Sequence, residues 1–252
     1  MAQQSCQWGY DSDNGPEYWH KYYPIAKGDN QSPIEINSKE VHYESSLLPW
    51  CVGYDPVGAR TIVNNGRTCK VVFDDTFNRS VLRNGPLPGI YRLRQLHFHW
   101  GSSNDHGSEH IVDGVKYAGE LHLIHWYSKY SNYAEALRNY DGVAILGIFL
   151  QVGKTPKPEM KRILEEINGI KTKMAKLRSL SINAETEPAR PLVDNWRPPQ
   201  PRHFRMRLSS LTNVHGRGAL LAHDGIYHIG GCAGERASDS VADVIRPCDG
   251  VP

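Results

Sequence analysis

The sequence predicts an α/β domain in which a strand-rich first part gives way to a helical stretch. Three observations predict it. Turn signals recur through the first 153 residues, at Asn14-Gly15-Pro16, Gly28-Asp29-Asn30, Asn65-Gly66, Asn84-Gly85-Pro86, Asp113-Gly114 and Asp141-Gly142. Runs rich in β-branched and aromatic residues lie between them. Beyond Pro158 the apolar spacing becomes that of a helix.

The elements follow in order. "TIVNN", "CKVVF", "RLRQLHFHW" and "ELHLIHW" read as strands. "VAILGIFLQV" is apolar on both faces, which suits a central strand covered on both sides. Met160, Ile163, Leu164 and Ile167 keep helical spacing, and Met174, Leu177 and Leu180 continue it in a second stretch after Gly169. "EPARPLVDNWRPPQP" is too rich in proline for either element and reads as extended chain. After Pro201 small residues and glycines replace any sustained periodicity, which predicts a poorly packed tail. No internal repeat or low-complexity tract is present.

Composition excludes some functions. A net charge of +2 offers no electrostatic footprint for nucleic acid or a membrane surface. No apolar run approaches the roughly 20 residues of a membrane helix. The polar, aromatic N-terminus lacks the charged-then-apolar order of a signal peptide, so a cytoplasmic protein is expected. In that compartment Cys6, Cys51, Cys69, Cys232 and Cys248, which form no CxxC pair, are expected to be free thiols.

The histidines carry the functional signal. Alternation along a strand places Leu93, Gln95, His97 and His99 on one face and Leu96, Phe98 and Trp100 on the other. His97 and His99 are then about 7 Å apart at Cα, close enough to share a metal. In "ELHLIHW", Glu120, His122 and Ile124 share a face. If the two runs are antiparallel neighbours, His122 comes up beside His97 and His99. Three neutral imidazoles with one open position are the donor set of catalytic zinc. Gln95 and Glu120, each two residues before a histidine, are placed to accept imidazole N–H groups and orient the rings. His106, His110, His125, His203, His215, His223 and His228 are expected to be ordinary imidazoles. The competing view of the whole cluster is a set of polar residues lining an empty cleft.

"QLHFHWGSSNDHGSEHIVDGVKYAGELHLIHW" resembles the centre of the α-class carbonic anhydrases. "WGY" at Trp8, "NGPEYW" at Asn14, "QSPIEI" at Gln31, "NNGRTCKVVFDD" at Asn64, "GPLPGIYRLRQ" at Gly85 and "VDNWRPPQP" at Val193 extend the likeness over 8–201. Within that family the chain is most like the cytosolic vertebrate members, the slow muscle type in particular. The resemblance implies a single domain around a large, mostly antiparallel twisted sheet with peripheral helices. It implies a monomeric lyase of one-carbon metabolism that hydrates carbon dioxide to bicarbonate and a proton, open to sulfonamide or anion inhibitors. His97, His99 and His122 match the zinc ligands, and zinc is the implied cofactor. Gln95, Glu120 and Asn195 match residues that orient those ligands, Asn195 through its backbone carbonyl. Glu109 matches the glutamate that anchors a hydroxide-orienting threonine. Ile124 and Ile145 match the apolar wall where carbon dioxide rests.

The sequence departs from the family in three places. Arg67 stands where fast members carry a histidine proton shuttle, and a guanidinium does not release its proton near neutral pH. With Lys70 and Arg94 adding positive charge to the cleft, slow turnover is expected. "GIKTK" runs directly into "MAKLRSL", so the family segment with the Glu109-anchored threonine is missing between 173 and 174. The domain is therefore expected to span 1–201 with that internal gap, and 202–252 form a tail with no family counterpart, expected to be disordered. The pattern resembles a skipped exon, giving a splice variant or truncated isoform, or a gene-model error. A carbonic-anhydrase-like zinc protein with impaired or no activity is the alternative these losses raise.

Overall fold

A computed structural model describes residues 8–153, 173–183, 187–203, 208–209, 220–223, 226–229 and 245–247. The strands, in chain order, are β1 (Glu35–Ile36), β2 (His42–Tyr43), β3 (Leu48–Gly53), β4 (Ala59–Asn64), β5 (Cys69–Phe73), β6 (Val81–Gly85), β7 (Tyr91–Trp100), β8 (Ile111–Val112), β9 (Gly119–Tyr127) and β10 (Val143–Leu150). A short helix, α1 (Tyr133–Ala136), lies between β9 and β10, and a second, α2 (Lys173–Arg178), follows. Four further strands complete the described set: β11 (Leu208–Ser209), β12 (Leu220–His223), β13 (Ile226–Ile229) and β14 (Ile245–Pro247). The helix expected over Met160–Ile167 lies outside the described residues.

Ten strands form one sheet in the order β12-β13-β10-β9-β7-β6-β3-β14, with β5 also paired to β7 and β4 to β5. It is mostly antiparallel; β13 on β10 and β14 on β3 are its parallel pairs. The two longest strands, β7 and β9, lie side by side at its centre. Their shared core face carries Leu96, Phe98, Trp100, Leu121 and Leu123, which pack with Leu146 and Leu150 of β10, Leu177 of α2 and Leu192. Leu177 is buried and Met174 packs partly against the same cluster, so α2 keeps the expected apolar spacing over one and a half turns.

The strand parity drawn from the sequence fails at one residue. Leu93 pairs with His125 and Gln95 with Ile124, so Arg94 is an extra residue in β7. Such a bulge reverses the alternation. Leu93, expected beside Gln95, is instead buried with Leu96 and Phe98 in the core.

After Pro201 the described residues include four strands, and one further expectation changes at Cys51. β13 pairs with β10 from Ile145↔Ile226 to Ile148↔Ile229, and β12 pairs with β13. A strand edge left bare in mid-sheet attracts any chain segment that satisfies its amides, which needs little side-chain periodicity. Cys51, expected to be a free thiol, is disulfide-bonded. β14 runs along β3 with Arg246 opposite Cys51. Cys69 is free and buried, and burial pushes its thiol up to about 11.

Candidate metal centre

The bulge at Arg94 sets the phase of the site. Beyond it, Gln95, His97 and His99 face away from the core. His97 lies directly opposite His122, His99 opposite Glu120, and Gln95 opposite Ile124. On the far side of β9, Gly147 lies opposite His122 and Ile145 opposite Ile124. Cross-strand neighbours at these positions are close enough for their side chains to meet.

Two of the imidazoles are oriented by partners from different parts of the chain. His99 Nδ1 lies 2.7 Å from the Asn195 carbonyl, and His122 Nε2 lies 2.7 Å from Glu120 Oε1. With those nitrogens donating, His99 Nε2 and His122 Nδ1 carry the free lone pairs. His97 Nε2 comes within 3.1 Å of His99 Nε2. One donor atom from each of the three residues falls within 4.8 Å of the others. Gln95 is half-buried on the same face, opposite Val72 and Ile124. Ile124 is buried and Ile145 half-buried beside it, an apolar strip next to His122.

Glu120 is fully buried and saturated. It accepts from the backbone N–H groups of Glu109 and His110 and bonds the rings of His110 and His122. Burial pushes its carboxyl up, but the two imidazoles outweigh that and hold it well below the ordinary range. Its lone pairs are spent on these donors, so it orients ligands. His110, expected to be an ordinary imidazole, belongs to this buried network; the "SEH" run was the signal for it.

Burial and the neighbouring rings press the proton affinity of His97 well down, with Lys70 contributing. Lys70 pairs with His97 across β5 and β7. His99 is also lowered, chiefly by burial. His122 is pushed down by burial and pulled up more strongly by Glu120, so its affinity ends raised. Neutral rings are what a metal needs, and binding at His122 would release a proton.

The remaining residues fall into two groups. Asn195 is buried; its amide spans Trp100 N, Arg67 O and Phe98 O, which ties the loop to β7. Glu109 Oε1 accepts from Arg197 N at 2.8 Å, and its Oε2 lies 3.4 Å from His99 Nε2 and 3.9 Å from His122 Nδ1. Arg67 stacks over Trp8, 4.2 Å from the ring, and donates to the Trp8 carbonyl. Arg94, expected to add charge to the cleft, is committed elsewhere: it pairs with Asp75 at 2.7 Å and lies over Tyr133. Sequence reasoning missed Arg197, which positions Glu109 and whose guanidinium is held by Gln31, Ser32 and Ala26. It also missed Thr68, which bonds both the N–H and the carbonyl of Phe98 between the two ligands of β7. No spacing rule marks either residue.

The donor set fits zinc. Three nitrogen ligands converge, two are fixed by outer partners, and two rings are held neutral. Fold and site together define a cluster of three histidines that could hold a metal ion, on a large, mostly antiparallel sheet. A sequence profile described as eukaryotic-type carbonic anhydrase matches residues 14–176, and the chain belongs to that family. It is 51% identical over 247 residues to "Carbonic anhydrase 3" of Rattus norvegicus, covering 77% of this chain and 95% of the relative. It is 48% identical over 252 residues to the human protein of that name (79% and 96%), and 43% over 250 residues to "Carbonic anhydrase 1" of Mus musculus (78% and 95%). The 77% of this 252-residue chain aligned to the rat protein amounts to fewer than 247 residues, so that relative carries residues with no counterpart here.

Proposed function

We propose that this chain binds zinc through His97, His99 and His122 and slowly hydrates carbon dioxide to bicarbonate and a proton. The convergence of the three imidazoles, in a member of this family, is the observation that carries the reading. Zinc held there would supply a Lewis acid that ionises water near neutral pH. The chain's own residues do the rest. Glu120 and the Asn195 carbonyl hold His122 and His99 in the ligating tautomers. Ile124 and Ile145 offer an apolar resting place for carbon dioxide. Lys70, opposite His97, disfavours protonated imidazole. Arg67 gives the departing proton no titrating carrier near pH 7.

The segment absent after Lys173 belongs to the same reading. It removes the threonine expected to partner Glu109, and Glu109 turns to the ligand rings instead. That geometry favours a second reading, a zinc protein with impaired hydration. The cytoplasmic placement comes from the family likeness; no helix among the described residues is long and apolar enough to cross a membrane. The monomeric state and sulfonamide or anion inhibition come from the family likeness.

Zinc content measured beside stopped-flow carbon dioxide hydration tests the proposal. One zinc per chain with a rate above the uncatalysed reaction supports it. Zinc with no rate selects the second reading, and no zinc removes both.

A further inference from the structure

We propose that the Glu109 carboxylate is a fourth protein ligand, closing the coordination position that a catalytic centre leaves to water. The inference rests on the reading that the three histidines hold zinc. In a tetrahedral zinc site with Zn–N and Zn–O bonds of about 2.0–2.2 Å, ligand atoms lie roughly 3.3–3.5 Å apart. Glu109 Oε2 lies 3.4 Å from His99 Nε2 and 3.9 Å from His122 Nδ1, and His97 Nε2 lies 3.1 Å from His99 Nε2. The carboxylate therefore sits at ligand spacing from His99 and a few tenths of an ångström beyond it from His122.

Its aim is fixed. Oε1 is held by Arg197 N, which leaves Oε2 turned to the rings. The side chain is 11% exposed, so water offers it little solvation. The nearby cations act on Glu109 through their charge and make their printed contacts elsewhere: the Arg197 guanidinium with Gln31, Ser32 and Ala26, and Lys116 over the Trp196 ring. A buried carboxylate facing imidazoles is costly unless a cation joins them. A divalent metal meets both needs, since zinc accepts carboxylate oxygen beside imidazole nitrogen. Such a centre holds metal with no vacant position, and water or an anion enters only by displacing Oε2.

Cobalt(II) bound to the full chain in place of zinc tests this through its visible spectrum, which reports coordination directly. The expected result is a four-coordinate spectrum that azide does not alter in the wild type. Glu109→Gln should bind cobalt at least about tenfold more weakly, and its spectrum should respond to azide. Glu109→Asp, one methylene shorter, should restore part of the affinity but not the closed spectrum. A wild-type spectrum that shifts with azide overturns the fourth-ligand assignment and leaves the three-histidine site standing. Failure of the wild type to bind cobalt overturns both. The wild-type arm decides even if a variant does not fold.

Discussion

Arg67 and His125 carry the predictions about rate and stability that rest on single residues. Arg67 is stacked on Trp8, and Asn195, which also accepts from His99, holds its carbonyl. Burial lowers its proton affinity, yet a guanidinium stays charged across the physiological range. Arg67→His should raise hydration in buffer-poor solution by about tenfold or more, measured in both the wild-type and Glu109→Gln backgrounds. An unchanged rate in both, with zinc bound, contradicts the assignment. His125 is buried beside Tyr54, whose hydroxyl lies 2.7 Å from Nε2. Burial pushes its pKa down to about 4. Between about pH 6.5 and 4 the unfolded chain therefore binds the proton that the fold refuses, so stability is full above that window and falls through it on acidification. The loss attributable to this residue is about 3 kcal/mol. Urea midpoints taken across that range should fall less steeply in His125→Gln than in the wild type; parallel curves would count against this account.

At the scale of elements, β7, β9 and the loop at Asn195 build the site. Alternation alone put His97, His99 and His122 on meeting faces, because the sequence from Gln95 onward lies on one side of the bulge. Leu93 could not be placed that way: an inserted residue changes no local pattern, and only the partner strand reveals the slip. Glu109 and Asn195 were legible through family likeness and not through periodicity, since both stand in loops and act across 88 and 96 residues of chain. Asn195 ties the backbones of Trp100, Phe98 and Arg67 with one side chain. Asn195→Ala leaves the buried Trp100 N–H without its acceptor and should cost about 1–3 kcal/mol in a urea titration. No measurable loss would mean that the loop is held by other contacts.

Across the whole molecule, a β-rich domain was readable from turns and apolar runs, while its edges were not. The strands after Pro201 are short, and the sheet edge they complete, along β10, is created by tertiary structure. The Cys51 disulfide was hidden because cysteine spacing alone does not show which thiols the fold brings together. What the account claims centrally is that this sheet presents three imidazoles to one zinc. The direct measurement is equilibrium zinc binding to the full chain, read by competition with a chromophoric chelator, with His97→Ala, His99→Ala and His122→Ala beside the wild type. The account predicts one tight zinc per chain and a loss of at least about 10²-fold in affinity in each variant, beyond the cost of removing an outer-sphere partner. Zinc held equally well without any one of the three histidines would contradict it.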